Sequence, residues 1–167
     1  MKENVVISVR NLVKKFGNFT AVDNLNFEVY KGEIFGFLGA NGAGKTTAIR
    51  ILSGLSVPTS GDAVVSGFSA RRQPEKIKQV IGYMCQRFSL YEDLTVRENI
   101  TLYGGIYGMS RQLIKERTAE LLGRLNFENY ADTLISSLPL GLKQKLAFSV
   151  AVLHDPGIVF LDEPTGG

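Results

Sequence analysis

Nine consecutive residues, Gly39 to Thr47, read GANGAGKTT and fit the spacing G-x-x-x-x-G-K-[ST]. Their flanks narrow the fold further. The apolar run IFGFLG precedes them, and KTTAIRILSGL follows with helical spacing. A strand, a glycine turn and a helix in that order make an anion cradle. Glycines let several backbone N–H groups converge with no Cβ in the way, and the helix presents its positive end to the same point. The cradle comprises Gly39, Ala40, Asn41, Gly42, Ala43, Gly44, Lys45, Thr46 and Thr47. Lys45 adds a charge for the β- and γ-phosphates of a triphosphate, and the Thr46 hydroxyl suits a Mg²⁺ ligand.

The pattern along the chain is α/β. VVISV, FTAV and LNFEV read as strands, the last with Leu25, Phe27 and Val29 on one face. IFGFLG reads as a continuous apolar strand buried on both faces of a parallel sheet. The helix after the cradle carries the stripe Ala48, Ile51, Leu52 and Leu55. AVVSG resumes as strand, PEKIKQV as helix and IGYMC as buried strand. Thr95 and Glu98 form a capping box at the start of the next helix. A further helix follows Ser110 with Ile114, Thr118, Leu121, Leu122 and Leu125, and another spans Leu140 to His154. DPG stops that helix. IVFL is then a strand delivering Asp162 and Glu163 at its C-terminal end. A strand-end aspartate beside a phosphate cradle can hold Mg²⁺ through water, and the next residue can polarise an attacking water.

With both motifs placed, the chain resembles the ATP-binding subunit of an ABC transporter, from ISVRNLVKKFG to LDEPTGG. The resemblance implies a P-loop core with an antiparallel β subdomain and an inserted helical subdomain. Residues 1–87 and 139–167 would form the core, and 88–138 the helical insert. It implies ATP and Mg²⁺ as ligands. Phe16, in LVKKFG, would stack on adenine, with Phe19 the less favoured substitute and core packing the structural alternative. Thr46, Gln86 and Asp162 would hold the metal, Gln86 would relay its state to a membrane partner, and Glu163 would be the catalytic base with Lys45 stabilising charge. Phe88, Leu90, Tyr91 and Leu94 follow Gln86 and could line a groove for that partner.

The family's signature loop usually reads Leu-Ser-Gly-Gly-Gln. Here it is LPLGLKQKLA, with Pro139 at the serine position, Leu140 at the first glycine and Gly141 at the second. Pro139 brings neither hydroxyl nor N–H, so one donor to the opposite subunit's ATP is missing. Gly141 is left as the contact. Such tracts point to the efflux branch. His154 precedes the acidic pair rather than following it, so it is expected to be structural.

The resemblance further implies a membrane-spanning partner, a second ATP-binding domain packed head to tail, and a position on the cytoplasmic face of the membrane. The family's chain continues beyond LDEPTGG. The sequence therefore reads as a truncated domain that binds nucleotide with weak turnover.

Composition excludes several other classes. Cys85 is the only cysteine among 167 residues, which rules out an intrachain disulfide framework. The formal charge is only +3, with Lys and Arg scattered, so no nucleic-acid stripe exists and no nucleic-acid partner is expected. Two rival readings stay open. One is a non-transport ABC-type ATPase acting on DNA or ribosomes. The other is a regulatory nucleotide-binding module that does not hydrolyse.

Overall fold

A computed structural model of the chain describes residues 4–40, 42–85 and 90–162. It divides into two compact units, Met1–Ile81 and Gly82–Gly167.

The first unit is built on an antiparallel sheet. β1 (Val5–Phe16) and β2 (Phe19–Tyr30) form a hairpin, and β3 (Ser60–Val65) pairs with the other edge of β1. The two-residue strand β4 (Phe68–Ser69) completes the order β2-β1-β3-β4. Ile7 and Val9 face the core two residues apart, but the next core residue is Leu12, three further on. A bulge supplies the extra residue. Asn11 sits at φ 48, which asparagine tolerates, and its N–H donates to Asn26 Oδ1 at 2.8 Å. The register shift on both sides of β1 keeps Leu12 inside.

Helix α1 (Lys45–Leu52) packs against β2 and β3. Ala48, Ile51 and Leu52 of the predicted stripe are buried as expected, at roughly 2 kcal/mol for each large side chain. Leu55 is not part of that face: it lies past the helix end and is exposed. Helix α2 (Pro74–Val80) starts with proline at its first position and packs on β4.

The predicted buried strand at 34–39 is not formed. No ladder partner pairs with 33–40 among the described residues, and an apolar run becomes a strand only when its backbone groups meet a neighbour. The run still alternates. Phe35 stacks on Phe27 with ring centroids 4.9 Å apart, and Phe37 meets Phe27 edge-on at 5.3 Å. Ile34 and Leu38 lie fully in solvent, at 100% and 96% exposure.

The second unit is mainly helical. β5 (Ile81–Met84) pairs with β6 (Ile158–Leu161), the two strands expected from IGYMC and IVFL. Helices α3 (Val96–Ile106), α4 (Arg111–Leu125) and α5 (Leu140–Ala151) share a core with two short 3-10 turns, Glu128–Tyr130 and Ile135–Ser137. Phe127, Ile100, Ile135 and Leu146 are its fully buried centre. Helix α5 ends three residues earlier than its apolar spacing suggests, and Leu153 is buried from the turn beyond it. His154 lies in that turn and stacks on Tyr107 at 3.8 Å. Burial of the Tyr107 hydroxyl, with a smaller effect from Tyr103, raises its pKa to about 12. Gly104 permits the close crossing of α3 and α4, because a Cβ there would stand 2.7 Å from Ile114 Cγ1.

The capping box at α3 is present as the sequence predicts. Glu98 N–H donates to Thr95 Oγ1 at 3.2 Å, and Thr95 N–H donates to Glu98 Oε2 at 2.8 Å. These bonds from Thr95, backbone first and side chain second, hold the Glu98 carboxyl below its ordinary 4.5. A depressed carboxylate pKa stabilises the fold above that ordinary value, and the gain fades as pH falls through the folded pKa. Thr95→Ala should lower stability by about 1 kcal/mol at neutral pH. In urea denaturation that deficit should narrow towards pH 3.

Candidate functional site

The cradle is positioned by the sheet beneath it. Gly44 is the N-cap of α1 at φ 82, and a Cβ on it would drive into the carbonyl oxygen of Ala21 on β2. Left-handed backbone and close approach both require glycine here, so the start of α1 is pinned to β2. Gly39 at φ 155 and Gly42 at φ 83 give the loop its other turns. Ala43 N–H donates to Ala40 O at 3.2 Å, closing the loop locally.

Lys45 is the first residue of α1. Its Nζ donates to the carbonyls of Gly39 at 2.7 Å and Ala40 at 2.8 Å. The ammonium therefore lies across the loop mouth, held by acceptors that an anion could replace. Thr46 is exposed and Thr47 half-buried on the first turn of the helix. No acidic residue occupies that turn to neutralise the positive helix end. Asn41 lies outside the described residues.

Phe16 ends β1 at the hairpin tip, opposite Phe19. Both rings are more than half exposed, at 55% and 62%, which rules out core packing for either. The Lys14 ammonium rests 4.9 Å from the Phe16 ring centroid. The ring thus offers exposed aromatic surface on the face that the ammonium leaves open.

In the second unit, Asp162 follows β6 and is buried, at 5% exposure. Its N–H donates to Met84 O at 2.9 Å, so the ends of β5 and β6 are brought together. Gln86, two residues past Met84, and Glu163, one past Asp162, lie outside the described residues. Pro139 is the N-cap of α5 and its carbonyl accepts from Leu142 and Lys143, at 2.9 and 3.1 Å. Gly141 is exposed in the first turn, with nothing within 4 Å of where a Cβ would stand.

Asn99 is a positioning residue that the sequence pattern does not reveal. It is fully buried on α3. Its Oδ1 accepts from Tyr91 N–H at 2.9 Å, and its Nδ2 donates to the carbonyls of Tyr91 and Thr95, both at 3.0 Å. The segment just beyond 86–89 is thereby clamped to α3. Buried polar groups of this kind must be paired, and asparagine supplies acceptor and donors at once. Only the polar identity of one inward position could have hinted at it.

A family model described as ABC transporter matches residues 22–166. The chain belongs to the ABC transporter family. A probable multidrug ABC transporter ATP-binding protein, YbhF of Escherichia coli K12, is 45% identical over 162 residues, covering 97% of this chain and 28% of that protein. The ABC transporter ATP-binding protein NatA of Bacillus subtilis is 38% identical over 148 residues, 88% of this chain and 60% of its own length. The bacitracin transport ATP-binding protein BcrA of Bacillus licheniformis is 37% identical over 164 residues, 98% of this chain and 53% of the relative. The chain thus spans less than two thirds of these curated relatives.

Solved structures agree on the ABC ATPase fold. An ABC transporter ATP-binding subunit superposes with a TM-score of 0.85 at 29% identity, over 95% of this chain and 66% of that one. A dimeric ATP-binding cassette in a post-hydrolysis state, bound to ADP and Pi, superposes with a TM-score of 0.82 at 27% identity, over 95% and 74%. Among the described residues no helix of this ABC family member is long and apolar enough to cross a membrane.

Gly44→Ala tests the close approach of the loop to β2. It leaves the side chains of Lys45 and Thr46 chemically unchanged but forces the start of α1 off Ala21. A stability loss of more than about 2 kcal/mol by denaturant titration is expected.

Proposed function

We propose that the protein carrying this chain binds Mg·ATP at residues 39–47 and hydrolyses it to drive an export-type membrane partner. The observation that carries this reading is Lys45, laid across the Gly39 and Ala40 carbonyls at the mouth of a glycine loop. An incoming polyphosphate would take over that ammonium together with the loop N–H groups. Gly39, Ala40, Asn41, Gly42, Ala43, Gly44, Thr46 and Thr47 would complete the cradle, and Phe16 would stack on adenine. The exposed Phe16 ring supports that role.

The donor types suit Mg²⁺. A threonine hydroxyl and one carboxylate beside substrate phosphates are how this ion is commonly held. Thr46 and Asp162 would hold it, with Gln86 completing the set. When bound, Mg²⁺ would neutralise phosphate charge. In hydrolysis a water oxygen bonds to the γ-phosphorus as the bond to the β-phosphate oxygen breaks. Glu163 accepts the water's proton, while Lys45 and the loop N–H groups stabilise the charge on the equatorial oxygens.

Residues 88–138 would serve as the helical insert between core segments 1–87 and 139–167. The first turn of α5, with Gly141, would meet the ATP of a second domain through backbone N–H groups, Pro139 offering none. Relatives named for multidrug transport and bacitracin transport support the export branch. So does a relative named for linearmycin resistance, LnrL of Bacillus subtilis. A cytoplasmic position on the membrane partner follows from the same reading.

ATP binding and turnover by Lys45→Ala and Glu163→Gln variants test the assignment. Lys45→Ala should weaken ATP binding at least tenfold. Glu163→Gln should retain binding and lose turnover by about 10²-fold or more. Unchanged affinity in Lys45→Ala would contradict the proposal.

A further inference from the structure

We propose a second binding site, on the helical unit between α3 and α4, for a small amphiphilic anion with a phosphate or carboxylate head and an apolar body. A cavity of about 440 Å³ opens there, the size of an ordinary small-molecule site. Arg97 of α3 and Arg111 and Lys115 of α4 line it, together with Ile114, Thr118 and Ala119.

The charges at this place are not balanced by the protein. Arg97 has a partner, Asp132, at 3.0 Å, but both side chains are at least half exposed, so the pair is weak and exchangeable. Neither Arg111 nor Lys115 has an ion-pair partner among the described residues. The acids of α4 are engaged elsewhere. Glu116 accepts from Gln112 at 2.7 Å, and Glu120 is shared by Arg117 and Arg124. Arg111 and Lys115 also stand four residues apart on the first turns of α4, where like charges repel and the helix end is already positive. The first turn holds no acid. Three cations around one cavity are thus unfavourable to the empty protein and are relieved by an anion.

The floor gives the second half of the specificity. Ile114 and Thr118 are buried at the base of the cavity, and Ala119 adds a methyl group. The Thr118 hydroxyl donates to the Ile114 carbonyl at 2.7 Å, and the Thr101 hydroxyl, also lining the site, donates to the Arg97 carbonyl at 2.8 Å. Both hydroxyl protons are therefore committed to the backbone. What remains for a ligand is cationic at the rim and apolar below. Inorganic phosphate would meet the first feature alone, and a neutral hydrocarbon the second alone.

The site is independent of the nucleotide reading, since none of its residues belongs to the cradle or the acidic pair. Decyl phosphate is the soluble probe, followed by calorimetry. Vesicles of phosphatidylglycerol, against phosphatidylcholine, probe the same chemistry as a lipid headgroup by co-sedimentation. Binding in the first arm alone makes the occupant a soluble amphiphile, and binding in the second alone makes it a membrane lipid. In either, Arg111→Ala with Lys115→Ala should weaken binding at least tenfold, with the thermal midpoint not lowered, because both side chains are exposed and their mutual repulsion is removed. Arg111→Lys with Lys115→Arg should retain it. The proposal is overturned by binding in neither arm, by full binding in the alanine variant, or by inorganic phosphate or decyltrimethylammonium binding as tightly as decyl phosphate.

Discussion

The meeting of Gly44 with the Ala21 carbonyl is the constraint on which the cradle depends. A helix offers its unpaired N–H groups to an anion only if its first turn is held still. Here the holding is done by backbone against backbone, at a position where no side chain fits and where the left-handed φ excludes most residues. The sheet in turn keeps β2 in place through its pairing with β1, where the Asn11 bulge lets Ile7, Val9 and Leu12 all be buried. The loop's chemistry is thus inherited from packing several residues away.

The second unit uses a different device for the same purpose. Its functional candidates lie at strand and helix ends, where chain direction changes and local propensity is weak. Hydrogen bonds fix them there: Asp162 N–H to Met84 O at the end of β5, and Asn99 to both sides of the 91–95 turn. A buried amide with three partners cannot slide, and each lost bond would leave a backbone group unpaired at about 1–3 kcal/mol. The residues on either side of 86–89 are therefore anchored within their own unit.

Local chemistry was the legible part. The G-x-x-x-x-G-K-T spacing, the Thr95–Glu98 box and the apolar spacing of α1 and α4 all depend on neighbours within four residues, which a sequence displays directly. Leu55 and the end of α5 were missed because a periodic pattern runs on past the point where the backbone stops obeying it. The run 34–39 failed for another reason. Its apolar letters describe what should cover it, whereas a strand needs a ladder, and ladders are non-local. The exposure of Phe16 and the pairing of Asn99 likewise depend on contacts distant in the chain. The imbalance of charge around Arg111 and Lys115 emerges only when every acid on α4 can be matched with its partner.

Comparing ATP, ADP and AMP as ligands of the purified protein by calorimetry would test the central claim most directly, that the 39–47 loop recognises a polyphosphate. Adenine and ribose are common to all three, so differences report phosphate contacts alone. The account predicts that ATP and ADP bind and that AMP is weaker by at least about tenfold, since the charge-assisted bonds of Lys45 and the loop N–H groups are worth about 1.5–3 kcal/mol each. Equal affinity for AMP and ATP would contradict it, because the cradle would then contribute nothing to recognition.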